Sequence, residues 1–343
     1  MKEADFGKRD KLGYWKPFKR IEYPPLFTMP VKPVAIAKWL FGFPGYLLPW
    51  NLLYAAAALA VWFFFTPPIA SMRSLSVGWI AYLLVRNAAI VLVVYGAWHA
   101  RLYVQKAQGS SFKFNAKWPS NDNDAFLFRR QNIDNVIWTF GSALPVWTGY
   151  EVLFYWAFAN NRIPFVSWSQ YPIYCVALML VIPFFRDVHF FFIHRALHWP
   201  PMYRFAHSLH HNNVNPGPWS GLAMHPVEHV LYFSGVLIHA IIPSNPVHVL
   251  FHLMHLGLVP AQVHSGFERV VLADGAAIDA DAYSHYLHHK YHECNYSDGM
   301  TPLDQWFGTF HDGSKEAETA MNQRFLSRNR ERDARAASGS TAP

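Results

Sequence analysis

Four apolar stretches, each about as long as a helix that crosses a bilayer, constrain this chain more than any other feature of its sequence. A spanning helix needs about 20 mostly apolar residues. Stretches of that kind cover residues 46–66, 77–99, 137–159 and 171–193. Only 15% of the residues are charged, against about 25% in a typical soluble domain. The sequence therefore predicts an all-α integral membrane protein with about four transmembrane helices.

Lys and Arg residues alternate between the segments that flank these stretches. Residues 1–43 hold nine of them and residues 100–135 hold six, whereas the loops 67–76 and 160–170 hold one each. Because positively charged loops stay in the cytoplasm, we expect the N-terminus and the 100–135 loop to be cytoplasmic. The four crossings then return the chain to that side just before His194. The basic N-terminal segment is expected to lie on anionic headgroups, and nucleic acid is not an expected partner.

The sequence divides into segments of different character. Residues 1–43 form the basic N-terminal segment, and residues 44–193 hold the transmembrane helices together with the 100–135 loop. Residues 187–311 form a histidine-rich domain. Residues 312–343 are polar and charged, and we expect a disordered tail there. The apolar stretches 230–242 and 247–260 are too short for ordinary spans, so we expect a re-entrant hairpin or a buried helical pair.

Eighteen of the nineteen histidines lie between His189 and His311, and they form repeated motifs. Positions i, i+3 and i+4 share one face of a helix. The motifs "HRALH", "HSLHH" and "HYLHH" therefore bring together three sets of imidazoles, namely His194 and His198, then His207, His210 and His211, then His285, His288 and His289. Eight imidazoles are too many for one tetrahedral zinc ion. They suit two metal ions, and a redox metal with open positions is a plausible centre for activating dioxygen.

The order of these motifs resembles that of the fatty acid hydroxylase/sterol desaturase superfamily of membrane di-iron oxidoreductases. The matching segments are "DVHFFFIHRALH", "HSLHH", "HPVE" at 225–228, "HSGFE" at 264–268 and "HYLHHKYHECNYSDGMTPLDQWFGTF" at 285–310. Phe267 and Glu268 stand where the family often has Tyr and Asp. The resemblance covers about 187–310, and it implies that residues 187–311 are a catalytic domain forming a helical, histidine-rich cap for two metals on the cytoplasmic side.

The resemblance implies a set of iron ligands in this chain. They are His194, His198, His207, His210, His211, His264, His285, His288 and His289. His225 is a lower-confidence ligand or a neighbour of the ligands, and the carboxylates of Asp187 and Glu228 are candidates to orient ligand imidazoles. His229, His239, His248, His252 and His255 are expected to be hydrogen-bonded core residues.

The resemblance also implies the reaction. Two iron ions and dioxygen would hydroxylate or desaturate a lipid, which is either a fatty acyl chain or a sterol. An external electron donor, either a ferredoxin or a cytochrome with its reductase, is implied because the chain has no HPGG-like haem motif, no ferredoxin cysteine run and no GxGxxG. The sequence does not decide between the substrates or between hydroxylation and desaturation.

Other functions remain as alternatives. The first is a membrane protein that binds or transports metal through its histidine clusters, although a transport path would place these histidines within the spans. A bis-histidine haem cytochrome needs histidines in separate spans, and only His99 lies in or near the first three. A zinc hydrolase is disfavoured because the chain has no HExxH motif.

Overall fold

The computed structural model of the chain describes residues 2–272 and 275–337, and these residues are mostly helical. The α-helices are α1 (Pro33–Phe41), α2 (Leu52–Phe65), α3 (Val77–His99), α4 (Gln131–Trp138), α5 (Leu144–Ala159), α6 (Pro172–Leu197), α7 (Pro200–Met202), α8 (Ser208–His211), α9 (Pro226–Phe233), α10 (Pro246–Val263), α11 (Tyr283–Tyr291), α12 (Leu303–Trp306) and α13 (Lys315–Ala337). Single π-helical or 3₁₀ turns extend or connect several of them, including Leu47–Asn51, Ala100–Val104, Thr139–Ala143, Tyr203–His207, Pro218–Leu222 and Ser234–Ala240.

Two short antiparallel hairpins add strands to a fold that we expected to be all-α. The first pairs β1 (Gly7–Arg9) with β2 (Trp15–Pro17) in the basic N-terminal segment. The second pairs β3 (Arg269–Val271) with β4 (Ala277–Asp279), between α10 and α11. Each hairpin has three residues per strand, which is too short to show a period-two pattern in the sequence.

Among the described residues, four helical segments are long and apolar enough to cross a membrane. They are Leu47–Phe65, Val77–Val104, Pro172–Leu197 and Pro246–Val263. Three of them agree with predicted spans. The predicted span 137–159 is helical, formed by a π-helical turn at Thr139–Ala143 and the 16 residues of α5, but it is not among the four, because Glu151 and several small and polar residues lower its hydropathy. Its place in the count is taken by α10.

Helix α10 is the centre of the bundle, and its side chains are buried on every face. Helices α2, α3, α5 and α6 surround it. A helix that is apolar all round is expected in this position, since none of its faces meets solvent. Gly257 permits the close packing, because a Cβ atom there would lie 2.1 Å from the ring of Trp147 on α5. The stretch 247–260, predicted to be re-entrant or buried, is therefore a buried helix.

The one charge in the second predicted span is neutralised inside the bundle. Arg86 on α3 is buried and forms an ion pair with Glu151 on α5. Asn87 donates a hydrogen bond to the same carboxylate, with 2.9 Å between its Nδ2 and Oε2. A charge within a span is tolerated when it pairs inside the protein, which explains why α3 interrupts its apolar sequence here.

The polar C-terminal segment is helical where we expected disorder. Helix α13 covers Lys315–Ala337, and residues 338–343 of the predicted tail lie outside the described residues. Glu318 contacts Lys16 Nζ at 2.6 Å and Lys290 Nζ at 3.4 Å, and Met321 is buried. Composition alone does not show that this helix packs against α11 and the N-terminal hairpin.

Candidate metal centre

Four structural elements at one end of the bundle supply the histidines of the predicted motifs. The end of α6 carries His194 and His198, and the turn leading into α8 carries the "HSLHH" motif. Helix α11 carries the "HYLHH" motif. His264 follows the last residue of the central helix α10. Except for the half-buried His198, all these imidazoles are buried.

The structure sorts nine imidazoles into two groups. The first, which we call the five-histidine group, contains His194, His198, His207, His211 and His288. The second, the four-histidine group, contains His210, His264, His285 and His289. Within each group the candidate ligand atoms all lie within 4.8 Å of one another. These nine residues are the nine that the sequence analysis singled out as ligands.

Helical geometry explains how the two HxxHH motifs serve both groups. Residues i and i+4 differ by about 40° around a helix, whereas i+3 and i+4 differ by about 100°. Accordingly His285 and His289 lie in the four-histidine group, and the intervening His288 points to the other. In the same way, His207 and His211 share the five-histidine group and His210 leaves it. Each motif therefore bridges the two groups.

The Nε2 atoms converge in both groups. In the five-histidine group, His198 Nε2 lies 3.0 Å from His207 Nε2 and 3.1 Å from His211 Nε2 and His288 Nε2. In the four-histidine group, His264 Nε2 lies 3.0–3.2 Å from the Nε2 atoms of His285, His289 and His210. A set of Nε2 atoms at these separations forms a cradle for a cation.

The opposite nitrogen, Nδ1, donates a hydrogen bond to a backbone carbonyl in four of these imidazoles. His194 and His288 donate to the carbonyls of Tyr296 and Cys294, at 2.8 and 2.7 Å. His210 and His264 donate to the carbonyls of Ala223 and Pro260, at 3.2 and 3.0 Å. Since a carbonyl only accepts, Nδ1 carries the proton and Nε2 presents a lone pair. Several lone pairs facing one another repel, and a metal ion removes that repulsion.

Burial keeps these imidazoles neutral, as metal ligation requires. It lowers the pKa of His210 to about 3, and it lowers the pKa values of His264, His285 and His289 well below the usual range, with neighbouring imidazoles adding to the effect. His207, His211 and His288 are shifted in the same direction for the same reasons. Protons therefore compete weakly with a metal for these nitrogens.

The number of imidazoles argues against tetrahedral zinc in the five-histidine group, because such a site takes four ligands. Imidazole is a good ligand for iron.

Carboxylates adjoin one imidazole in each group. Glu228 Oε1 lies 2.7 Å from His207 Nδ1, as we expected for a group that orients a ligand. Burial raises the pKa of Glu228 well above its usual range, which a nearby cation would counteract. Asp298 Oδ1 lies 3.8 Å from His285 Nδ1, and Arg186 pairs with the same carboxylate. The sequence analysis missed Asp298, because it lies in the loop after the last motif and its distance from His285 depends on how that loop folds.

Asp187 and His225 lie differently from what we expected. Asp187 contacts no imidazole; its carboxylate accepts hydrogen bonds from the loop that contains Asp298 and Thr301. His225 belongs to neither group. It precedes α9, where its Nδ1 accepts a hydrogen bond from Val227 N at 3.3 Å and its ring packs against Phe205.

Most of the remaining histidines bond to ordinary partners. His229 bonds to Ser142 Oγ at 2.8 Å and to the Leu222 carbonyl at 3.2 Å. His292 lies beside the five-histidine group. Its ring packs against His211 with 4.4 Å between centroids, and its Nδ1 lies 3.1 Å from the Tyr203 hydroxyl. Spacing did not reveal this contact, since His292 has a left-handed backbone (φ 65°) just after α11.

A cavity opens onto both groups. Its wall includes His194 and His207 of the five-histidine group together with His210, His264 and His285 of the four-histidine group. Phe190, Met224, Tyr232, Pro260 and Val263 contribute apolar and aromatic surface to the wall, and Arg186, Glu228 and Asp298 contribute charged groups. A carbon–hydrogen bond placed here would lie beside both sets of ligands and away from bulk water.

Known proteins share this set of motifs. Residues 179–309 match the fatty acid hydroxylase family. The chain is 26% identical over 239 residues to a Delta(7)-sterol 5(6)-desaturase of Gibberella zeae, covering 65% of this chain and 69% of that relative. It is 28% identical over 187 residues to a Delta(7)-sterol-C5(6)-desaturase of Nicotiana tabacum, covering 52% and 65%. It is 32% identical over 145 residues to a Delta(7)-sterol 5(6)-desaturase of Leptosphaeria maculans, covering 40% and 38%. No solved structure matches the chain.

Fold and site together define a class, that of helical membrane enzymes whose centre is built from two groups of histidines. The matches supply the chemistry of the class, which is the oxidation of lipids by hydroxylation or desaturation. The match at 179–309 and the sterol desaturase relatives support the fatty acid hydroxylase/sterol desaturase superfamily for this chain, and they indicate that it is an oxidoreductase. A protein that only binds or transports metal is not favoured.

Proposed function

We propose that this oxidoreductase binds two iron ions, one in each histidine group, and uses dioxygen to hydroxylate or desaturate a lipid. The observation that carries the proposal is the convergence of nine neutral imidazoles in two groups beside one cavity. Iron held there supplies the oxidising power, derived from dioxygen, that removal of hydrogen from an unactivated carbon requires.

The side chains around the iron sites have distinct roles in this proposal. Five of the nine rings have an Nδ1 hydrogen bond that holds Nε2 towards its group, so that little reorganisation of these rings accompanies metal binding; they are His194, His207, His210, His264 and His288. Glu228 acts on the five-histidine group through His207. Phe190, Met224 and Val263 hold the acyl or ring carbons of the substrate and exclude water from the cavity.

The substrate follows from the cavity and the relatives. The apolar side chains in the cavity wall can contact a hydrocarbon segment, and the relatives named above are sterol desaturases. We therefore propose a sterol or a fatty acyl chain, with sterols to be tested first. An external electron donor, either a ferredoxin or a cytochrome with its reductase, supplies the electrons, because the 343 residues contain no haem or flavin motif of their own.

The orientation in the membrane is also part of the proposal. The excess of Lys and Arg in residues 1–43 and 100–135 supports a cytoplasmic N-terminus and a cytoplasmic metal centre. Single cysteines placed at exposed Asp122 and Arg73 test this, because Asp122 lies in the 100–135 loop and Arg73 on the opposite side. An impermeant thiol reagent added outside intact cells should label the second and spare the first. The reverse pattern would contradict the orientation.

Metal analysis of the purified chain in detergent tests the iron assignment. We expect about two iron ions per chain and no haem absorption band. Zinc as the bound metal, haem, or one metal ion per chain would contradict the proposal.

Lipid analysis tests the reaction. Mass spectrometry of cells that express the chain should show a lipid that has gained an oxygen atom or lost two hydrogens, compared with cells that express the His288→Ala variant. Sterols and fatty acyl lipids are profiled separately. Identical profiles in both classes of lipid would contradict the reaction while leaving the metal assignment to be judged by its own experiment.

A further inference from the structure

The loop segment 294–302, between α11 and α12, provides the anchors for two imidazoles of the five-histidine group. We call it the anchoring loop. Its Cys294 carbonyl accepts from His288 Nδ1 at 2.7 Å and its Tyr296 carbonyl accepts from His194 Nδ1 at 2.8 Å. The orientations of two imidazoles that come from different helices therefore depend on the path of one loop.

The first half of the anchoring loop is held by the carboxylate of Asp304. The backbone N–H groups of Tyr296 and Ser297 donate to it at 2.8 and 2.9 Å. The hydroxyls of Ser297 and Thr309 donate at 2.8 and 2.6 Å. Asp304 is 1% exposed and contacts no imidazole directly. Its four hydrogen bonds fix the peptide that carries the Tyr296 acceptor.

The second half is held by the carboxylate of Asp187, which reaches the loop from α6. The backbone N–H groups of Asp298 and Thr301 donate to it, both at 2.8 Å, and the Thr301 hydroxyl donates at 2.5 Å. Asp187 is also 1% exposed. A buried carboxylate costs free energy unless it is hydrogen-bonded. Among the described residues, the Asp187 carboxylate accepts hydrogen bonds only from the loop, and the Asp304 carboxylate accepts them from the loop and from Thr309.

We propose that Asp187 and Asp304 are positioning residues for the five-histidine group, and that they act at a distance through the anchoring loop. The inference rests on the proposed function in that the group holds a metal ion. The four-histidine group depends less on the loop, because His210 and His264 are anchored on the carbonyls of Ala223 and Pro260. Its one link is Asp298, whose carboxylate lies 3.8 Å from His285 Nδ1, beyond hydrogen-bond distance.

The experiment measures metal affinity one group at a time. In the His289→Ala background the four-histidine group is incomplete, and in the His288→Ala background the five-histidine group is incomplete. Asp304→Asn and Asp187→Asn are placed in each background of the full chain, purified in detergent and titrated with Fe²⁺ or Co²⁺ against a chelator. An amide matches the carboxylate in shape but turns donors towards donors.

We expect a selective effect. Each Asp→Asn change should weaken metal binding about 10–100-fold in the His289→Ala background, as is typical when an outer partner of a ligand is lost. In the His288→Ala background the change should be less than about threefold. Asp122→Asn is the matched control, because that carboxylate is exposed, pairs with Arg129 and should alter neither affinity.

Milder variants keep the inference testable if an Asp→Asn chain does not fold. Ser297→Ala and Thr301→Val each remove one hydroxyl donor from one carboxylate and leave both carboxylates in place. Each should weaken the five-histidine group alone, by less than the Asp→Asn change does. Helix content measured by circular dichroism shows whether each variant is folded.

Two results would overturn the inference. One is unchanged metal affinity of the five-histidine group in folded Asp304→Asn, Ser297→Ala and Thr301→Val chains. The other is an equal loss from both groups. A parent chain that binds no metal at all would instead contradict the proposed function, so the two failures are distinguishable.

Discussion

Two sets of histidines can be compared, namely the five- and four-histidine groups and the histidines in and beside the central helix α10. All of them are buried except the half-buried His198, but their ring nitrogens have different partners. His248 bonds to Asn245 N at 2.9 Å and to the Cys175 carbonyl at 3.0 Å, so both of its ring nitrogens have ordinary partners. His239 Nε2 lies 3.2 Å from His252 Nδ1, and His239 Nδ1 bonds to Ser244 Oγ at 2.7 Å. In the groups, Nδ1 is anchored where a partner exists and Nε2 converges with several others. Convergence of one nitrogen therefore marks the site, and burial or histidine density does not.

The largest expected effect is on product formation, and it compares a residue of the five-histidine group with a histidine of the central helix. Replacing His288 by alanine removes a ligand and its anchor on the Cys294 carbonyl, so we expect product formation to fall by more than about 100-fold. His248→Asn, which keeps a polar side chain in the central helix, should retain most of the activity. Lipid product per amount of membrane-inserted protein is the measurement, and equal losses in both variants would contradict the distinction.

A second prediction concerns the carboxylate beside the five-histidine group. Glu228→Gln keeps the shape of the side chain but weakens the partner of His207 Nδ1, so metal affinity of that group should fall about 10–100-fold. Titration with Fe²⁺ against a chelator in the His289→Ala background reads this group alone. An unchanged affinity would show that Glu228 does not tune the ligand.

A third prediction addresses the histidines of the central bundle. His239→Ala deprives Ser244 Oγ and His252 Nδ1 of a partner, so we expect about 1–3 kcal/mol lower stability with metal content unchanged. Thermal unfolding in detergent and metal analysis of the same sample provide the two readings. Loss of metal at unchanged stability would place this pair in the metal centre after all.

The smallest effect involves Glu268, a half-buried acid four residues after His264 of the four-histidine group. Burial, followed by the charges of Asp281 and Asp279, raises the pKa of Glu268 to about 8 from 4.5, and its Oε2 has no hydrogen-bond partner. As the pH rises, the unfolded chain therefore loses the Glu268 proton before the folded chain does. The contribution of the protonated Glu268 to the free energy of unfolding is complete below about pH 4.5 and is lost as the pH rises towards 8.

Glu268→Gln removes that dependence. The variant should unfold a few degrees above the parent at pH 8 and at nearly the same temperature at pH 5, since about 1 kcal/mol corresponds to about 2–4 °C in a chain of this order of size. Differential scanning fluorimetry of both chains at the two pH values is the measurement. Equal differences at both pH values would contradict a raised pKa.

The residues that sequence reasoning could find are those whose spacing repeats. The motifs around His194, His207 and His285 lie on helices or helical turns, so periodicity alone brings each set to one side of its element. The division into five and four was not predictable, because helical spacing separates the members of each HxxHH motif but does not show which imidazoles of other elements join them. Asp298 and the acceptors at Cys294 and Tyr296 were missed for a related reason, since a loop has no period and a carbonyl has no sequence signature.

The fold shows the same limit. Apolar length identified the spans at 46–66, 77–99 and 171–193, because each is a single long helix. The helical stretch 137–159 is not among the four, because Glu151 and its small and polar residues lower its hydropathy, and the prediction undervalued 247–260, an apolar helix that is buried within the bundle. The burial of 247–260 is not visible in composition.

The most direct measurement of the central claim is the number of iron ions bound by three chains, namely the parent, His288→Ala and His289→Ala. If each group holds one ion, the parent should bind about two and each variant about one. The paired variant His288→Ala/His289→Ala should bind none. Two ions retained by either single variant, or zinc in place of iron in the parent, would contradict the assignment of one iron ion to each histidine group.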